Sequence, residues 1–240
     1  MDQRAFVKLV RHWNAGAVAA ALRHQPALAT RVDRIGKTPM HHCAGINGRE
    51  AGLPLHDSVG VAASLIDAGA DVNAVRLIVD EGEEFPATPL WYSVAWGENF
   101  RLAKFLLQHG AKPNGCMWAA CWAQNQEMAE LLSSFGADVD SVFHGETPLL
   151  LIVKAKRFRL LRWLVKEGAD INFQDPAGYS ALHFAIKRNH NLQQIEELLS
   201  LGANPLLKAR NGTTPMSLAI KLGKTKLVSM LRGKLKYELA

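Results

Sequence analysis

Two short signals recur along this chain at a shared period, and together they leave few folds open. Gly-Ala pairs begin at Gly69, Gly110, Gly136, Gly168 and Gly202, each after a leucine-rich stretch, with spacings of 41, 26, 32 and 34 residues. Thr-Pro followed by an apolar residue stands at Thr38, Thr88, Thr147 and Thr214, with Ser180-Ala181-Leu182 as a variant. The steps from Thr147 to Ser180 to Thr214 are 33 and 34 residues. Self-similarity at a fixed period of roughly 20–50 residues is the mark of a repeat architecture, in which no unit buries its apolar face alone.

Between the signals the pattern is helical. In Leu160-Leu161-Arg162-Trp163-Leu164-Val165 apolar residues recur three and four apart, as a half-buried helix requires, and the run stops at Gly168. Glycine there can take the left-handed conformation that closes a helix. At the other end Thr147 or Thr214 can cap a helix whose first residue is Pro148 or Pro215, where the missing amide proton costs nothing. Each unit is therefore turn, short helix, loop, second helix. The fold class expected is all-α, a solenoid of stacked helix-turn-helix units with hairpin fingers.

These residues resemble the ankyrin repeat. Asp175-x-x-Gly178-x-Ser180-Ala181-Leu182-His183-x-Ala185 stands close to that family's pattern, as do Gly36-x-Thr38-Pro39-Met40-His41 and Gly69-Ala70-Asp71-Val72-Asn73. The resemblance covers essentially the whole chain as one stand-alone array. It divides into a helical cap at 1–32 and repeats at 33–73, 74–114, 115–140, 141–172 and 173–205, with a sixth repeat and C-terminal cap at 206–240. In the cap, Phe6, Val10, Ala17, Val18, Ala21 and Leu22 fall at helical spacings. Terminal units differ because one of their faces must meet water.

Three departures from the pattern mark the individual surface. The first repeat has about ten extra residues between its helices, within 47–60, read as a loop on the outer rim. A second insertion, 74–87, replaces a tight turn with a long finger tipped by Asp80, Glu81, Glu83 and Glu84. The third repeat passes from Pro113-Asn114 straight into Cys116-Met117-Trp118 and has no room for a finger.

The resemblance implies that partners meet the turn tips and the exposed positions of each first helix, on a concave surface. Aligning those helices puts His42, Tyr92, Trp118, Leu151, Phe184 and Leu218 at one inner position, followed by Trp96, Trp122, Lys154, Lys187, Arg188 and Lys221. The middle repeats thus offer aromatic side chains, which with Arg are the commonest binding hot spots, and the later repeats offer a basic row. Trp96 and Trp122 are expected to be exposed, whereas Trp91 and Trp163 sit at packing positions.

Catalysis has no foothold in the pattern. His41-His42-Cys43 could suggest a metal site, but adjacent helical side chains diverge and no second cluster at ligand spacing accompanies them. Family resemblance gives His41 and His183 a turn hydrogen bond instead. Cys43, Cys116 and Cys121 are an odd number at no metal-like spacing, which suits free thiols in a reducing compartment. The pattern gives no nucleophile elbow and no phosphate-cradling glycine loop ending in Lys-Ser or Lys-Thr. No cofactor or metal is expected.

Apolar stretches are broken well short of the roughly 18 residues a membrane span needs, and the first thirty residues lack a secretory pattern. A cytoplasmic, monomeric protein is expected. Its net charge of +6 conceals an asymmetry: 12 Lys and Arg against 16 Asp and Glu in residues 1–149, but 16 against 6 in residues 150–240. Such a field steers partners of opposite polarity. The leading reading is a non-catalytic protein-binding module, an adaptor, inhibitor or immunity-type neutraliser. The alternative is nucleic-acid binding through Lys154, Lys187, Arg188 and Lys221, against which the acidic finger and acidic first half would repel a duplex. A small-molecule pocket beneath Tyr92 and Trp118 is the third possibility.

Overall fold

The computed structural model describes residues 1–80 and 82–238, with side chains at all of these except 55, 56, 80 and 234–238. Glu81 and the side chain of Asp80, both assigned to the acidic finger, lie outside the described residues. The chain divides into two compact units, Met1–Ala123 with Glu127–Ala137, and Gln124–Gln126 with Asp138–Ala240.

The first unit contains α1 (Gln3–Arg11), α2 (Ala15–His24), α3 (Pro39–Ala44), α4 (Gly48–Ala51), α5 (Leu55–Asp67), β1 (Arg76–Asp80), β2 (Glu83–Ala87), α6 (Pro89–Ala95), α7 (Phe100–Gln108), α8 (Cys116–Trp122) and most of α9 (Gln126–Ser134). Helix pairs α1/α2, α3/α5 and α6/α7 pack together, and the first helices α1, α3, α6 and α8 touch in that order. The second unit contains α10 (Pro148–Lys154), α11 (Leu161–Lys166), α12 (Ala181–Lys187), α13 (Leu192–Ser200), α14 (Pro215–Lys221) and α15 (Thr225–Glu238). Its pairs are α10/α11, α12/α13 and α14/α15, with α12 touching both α10 and α14.

The caps are the ones the repeat signal implies. Thr88 Oγ1 accepts from the Trp91 amide, Thr147 Oγ1 from Leu150 and Thr214 Oγ1 from Ser217. Each closing glycine has a positive φ, from 80° at Gly136 to 101° at Gly168. Between them the leucines of one helix face, such as Leu102, Leu106, Leu160 and Leu164, are fully enclosed. Each such burial contributes about 1.5–3 kcal/mol. In the amino-terminal pair Phe6, Val10, Val18 and Leu22 are buried and Ala17 and Ala21 half-buried.

Two side-chain devices tie neighbouring repeats together within each unit. His41 Nδ1 lies against the Thr38 amide and hydroxyl, while its Nε2 is 3.2 Å from the carbonyl of Ala87, one repeat further on. His183 repeats this with Ser180 and, at 3.1 Å, the carbonyl of Thr213. Asn73 donates to the Gly110 carbonyl and accepts from the Lys112 amide; Asn172 does the same with Gly202 and Asn204. Both devices satisfy buried or turn backbone groups that would otherwise lose hydrogen bonds on stacking.

The insertions are more ordered than loops. Within 47–60, Asn47 Oδ1 accepts from the amides of Arg49 and Glu50 and starts α4, which ends at left-handed Gly52, and α5 begins at Leu55. The rim loop expected across this stretch is thereby reduced to 52–54. The finger is an antiparallel hairpin, with Arg76 opposite Ala87, Ile78 opposite Phe85 and Asp80 opposite Glu83. In the third repeat the Cys116 amide bonds to the Pro113 carbonyl, so one tight turn leads into α8.

Candidate protein-interaction surface

Residues of the first unit gather around α6. Tyr92 and Trp96 are four apart on that helix, so their rings meet edge to face at 4.5 Å, and Trp91 adds a third ring 5.2 Å from Trp96. The hairpin supplies Phe85, 5.1 Å from Trp91, from its inner side. On its other side the alternation of the strand turns Val75, Leu77 and Val79 to solvent, beside Glu84 and Pro86.

Two cations grip this cluster. Lys37 Nζ stands 4.7 Å from the centre of the Tyr92 ring and 5.4 Å from that of Trp96. Arg76, on β1, donates through Nη1 to the Tyr92 hydroxyl and through Nε to the Ile35 carbonyl at 2.9 Å. Burial, then the nearby Arg76 charge, lowers the Lys37 pKa, with Asp33 opposing. Burial raises that of Tyr92 against the pull of Arg76. These contacts enclose Tyr92 completely, at 0% exposure, whereas Trp96 is 45% exposed. Tyr92, expected on the open platform, is therefore a packing residue whose hydroxyl is already taken.

His42 is half-buried and its Nε2 lies 2.8 Å from Asp33 Oδ2. Burial lowers the His42 pKa although Asp33 acts in the other direction. For Asp33 burial works upward, but the amides of Lys37 and Ile35 and the His42 ring outweigh it and hold the carboxyl below its usual range. On α8, Trp118 and Trp122 stack with rings 6.0 Å apart and 9° from parallel. Trp118 is half-buried beneath, and Trp122 is 46% exposed. The neighbouring helices α6 and α8 thus each present one open tryptophan. Glu83 and Glu84 are exposed on the hairpin.

The basic row belongs to the second unit, and only part of it is open to solvent. Lys154 is ion-paired with Glu146 and its Nζ lies 4.6 Å from the Phe184 ring centre. Phe184 itself is buried, contrary to its expected place on the platform, because Lys154 and Arg188 cover the ring and Tyr179 packs beside it. Arg188 Nη1 donates to the Lys154 carbonyl at 2.6 Å, while Arg188, Lys187 and Lys221 remain exposed. Inner position alone could not separate open from covered side chains. The residues that decide it, Lys37, Arg76 and Glu146, come from turns and a strand that helical periodicity ignores.

His41 is buried and its pKa falls to about 4, through burial first and the charges of Lys37, His42 and Arg76 after it. Burial raises the pKa of all three thiols, to about 12 for Cys121, so they stay protonated. Among the described residues no cluster of His, Cys, Asp or Glu could hold a metal ion, and no helix is long and apolar enough to cross a membrane.

Comparison with known proteins agrees with this geometry. A family model of ankyrin repeats in three copies matches residues 149–238. The chain is 30% identical over 146 residues to an ankyrin repeat protein of Rickettsia bellii, covering 58% of this chain and 61% of that one. Its backbone superposes on the ankyrin repeat domain of Bcl-3 with a TM-score of 0.69 over 89% of this chain and 92% of that domain, at 23% identity.

This chain has the ankyrin-repeat fold, and its residues 149–238 match the family's repeats.

The human ASB11 ankyrin repeat domain shares the fold as well, with a TM-score of 0.67 at 21% identity over 89% and 90% of the two chains. The mouse B-cell lymphoma 3 protein homolog is 34% identical over 111 residues, which cover 45% of this chain and 24% of that protein. The chain spans 61%, 12% and 23% of three curated relatives, from Rickettsia bellii, a mimivirus and fowlpox virus. Ankyrin repeats are protein-protein interaction modules, and the fold is generally a non-catalytic scaffold.

Proposed function

We propose that this ankyrin array is a non-catalytic, monomeric cytoplasmic module that acts by occupying a partner protein, as an adaptor, inhibitor or immunity-type neutraliser. The observation that carries the reading is the pair of open tryptophans, Trp96 and Trp122, one on each of two touching first helices. Large aromatic side chains left half in water beside packed ones are the side chains whose burial adds most to binding. Exposed Val75, Leu77 and Val79 on the hairpin, with Glu83 and Glu84 beside them, extend the same unit's surface toward a partner carrying apolar and basic groups. Lys187, Arg188 and Lys221 of the second unit offer a separate basic surface.

The test compares the protein with a Trp96→Ala/Trp122→Ala variant as immobilised bait in native lysate. A protein retained by the first and lost from the second, with helical content and melting temperature unchanged, supports the reading. Equal retention by both, or a collapse of the variant's stability, removes it. Assay of the retained protein's own activity with and without the array then separates a neutraliser from an adaptor.

A further inference from the structure

The second unit contains a cleft of about 530 Å³ between the loop joining α12 to α13 and the start of α15. Its walls include His190, Asn191, Gly223, Lys224, Thr225 and Lys226. His190 is only 5% exposed, yet neither ring nitrogen has a hydrogen-bond partner in the protein. A buried imidazole left unsatisfied is uncommon and calls for a group that supplies the missing bond. Opposite it stands the amino-terminal end of α15, a helix of 14 residues with no acidic residue in its first turn. Its first-turn amides have no intrahelical acceptor and carry the positive end of the helix dipole.

The charges acting on the His190 ring come from three elements and are all positive: Lys156 after α10, Arg188 after α12 and Lys224 before α15. Burial first, and these charges after it, hold the imidazole neutral with a pKa of about 4. Lys224 Nζ is anchored by the Ile186 carbonyl and Asn189 Oδ1, at 2.8 and 2.9 Å, and Lys226 is exposed beside it. A cleft that gathers cations, helix-start amides and a hydroxyl, with no carboxylate among its lining residues, lacks only an anion.

We propose that this cleft is a binding site for a phosphate-sized oxyanion, seated on the amino-terminal end of α15 and held by Lys224, Lys226 and the His190 ring. Gly223-Lys224-Thr225 stands at the helix start as in phosphate loops, but Leu218 occupies the place of the earlier glycine, so the stretch falls outside that motif. The tetrahedral oxyanion suits the site because its donors converge from two loops and one helix end, more than a planar carboxylate can use. Free phosphate and a phosphoryl group on a peptide share this chemistry.

The test is proton NMR of the histidine rings in the whole protein, with His190 assigned from a His190→Gln variant. It is titrated with inorganic phosphate, with a phosphoserine hexapeptide and its unphosphorylated form, and with chloride at matched ionic strength. A saturable shift of the His190 ring signals, a rise in its apparent pKa when phosphate is bound, and at least tenfold weaker binding in Lys226→Glu and Lys224→Met support the site. Tighter binding of the phosphopeptide than of phosphate identifies a phosphorylated protein as the source; the reverse identifies the free ion. An identical response to chloride, no response at all, or unchanged affinity in Lys226→Glu overturns it. Lys226 is exposed, so that variant keeps the test decisive if Lys224→Met fails to fold.

Discussion

The Asp170 amide donates to Asp140 Oδ2 at 2.9 Å, while Asp140 Oδ1 is buried without a protein hydrogen-bond partner. Asp140 holds the place that Asn73 and Asn172 hold in their own repeats, where one amide oxygen accepts from the next repeat and the amide nitrogen donates to a Gly carbonyl. A carboxylate can only accept, so half of the tie is missing. Desolvation raises the Asp140 pKa, with the Asp170 amide opposing and the Asp170 and Asp138 charges adding to the rise.

Asp140→Asn is therefore expected to stabilise the protein by about 1 kcal/mol at neutral pH, the value of one recovered hydrogen bond. The pH dependence has a definite sign. A carboxyl whose folded pKa is raised contributes stability below its unfolded pKa, near 3.8, and loses it as pH climbs through the higher folded value. The variant should gain most above that window and little below it. Urea unfolding at pH 4 and pH 7 checks this, and an equal gain at both would refute the missing-donor argument.

His41 predicts the opposite slope. Its folded pKa of about 4 lies below the model-peptide 6.5, so the neutral ring's contribution is complete above 6.5 and is lost as pH falls toward 4. Because Nδ1 and Nε2 join two repeats, His41→Ala is expected to cost about 2 kcal/mol at pH 7. It should also flatten the stability profile between pH 7 and 5. Hydrogen exchange of the Ala87, Thr88 and Leu90 amides would locate the loss at the junction; a uniform change across the first unit would argue against it.

Much of the fold was legible because repetition multiplies weak signals. One Thr-Pro or one Gly-Ala means little, but in phase they mark the caps and closing glycines, while the His41 and His183 bonds follow only from the resemblance to the ankyrin repeat. The left-handed residue between paired helices was not legible. Trp13, Glu98, Gln124, Lys156 and Asn189 all have positive φ, and only at Gly52 and Gly223 does the residue type announce it. The site was half legible for a similar reason: periodicity put Tyr92 and Trp96 on one helix face, but the cover over Tyr92 comes from Lys37 and Arg76, far off in sequence. The order in 47–60 escaped because a four-residue helix has too few positions to show a period.

Glu98 offers a direct test of that left-handed junction. At φ 45° an exposed side chain with a Cβ sits in a conformation costing about 1–2 kcal/mol, part of which glycine would offset against its own entropy in the unfolded chain. Glu98→Gly should raise stability by about 0.5–1 kcal/mol, read as a higher melting temperature without altered partner capture. A lower melting temperature would show that Glu98 makes an unrecognised contact.

Tyr92 and Trp96, four residues apart, should separate stability from binding. Tyr92 has rings on several sides, Lys37 over its face and Arg76 on its hydroxyl, so Tyr92→Ala leaves a cavity and takes the Arg76 Nη1 partner away, and is expected to cost about 3–5 kcal/mol. Tyr92→Phe keeps the ring and loses only the hydrogen bond, about 1–3 kcal/mol. Trp96→Ala removes a ring already half in water and should cost under about 1 kcal/mol while weakening partner capture at least tenfold. Such a ranking, measured by urea unfolding beside a pull-down, requires that exposure and not aromatic character decides which side chain meets a partner. A variant at Tyr92 that lost capture with full stability would reverse the assignment, because it would mean that the Lys37 and Arg76 cover opens when a partner docks.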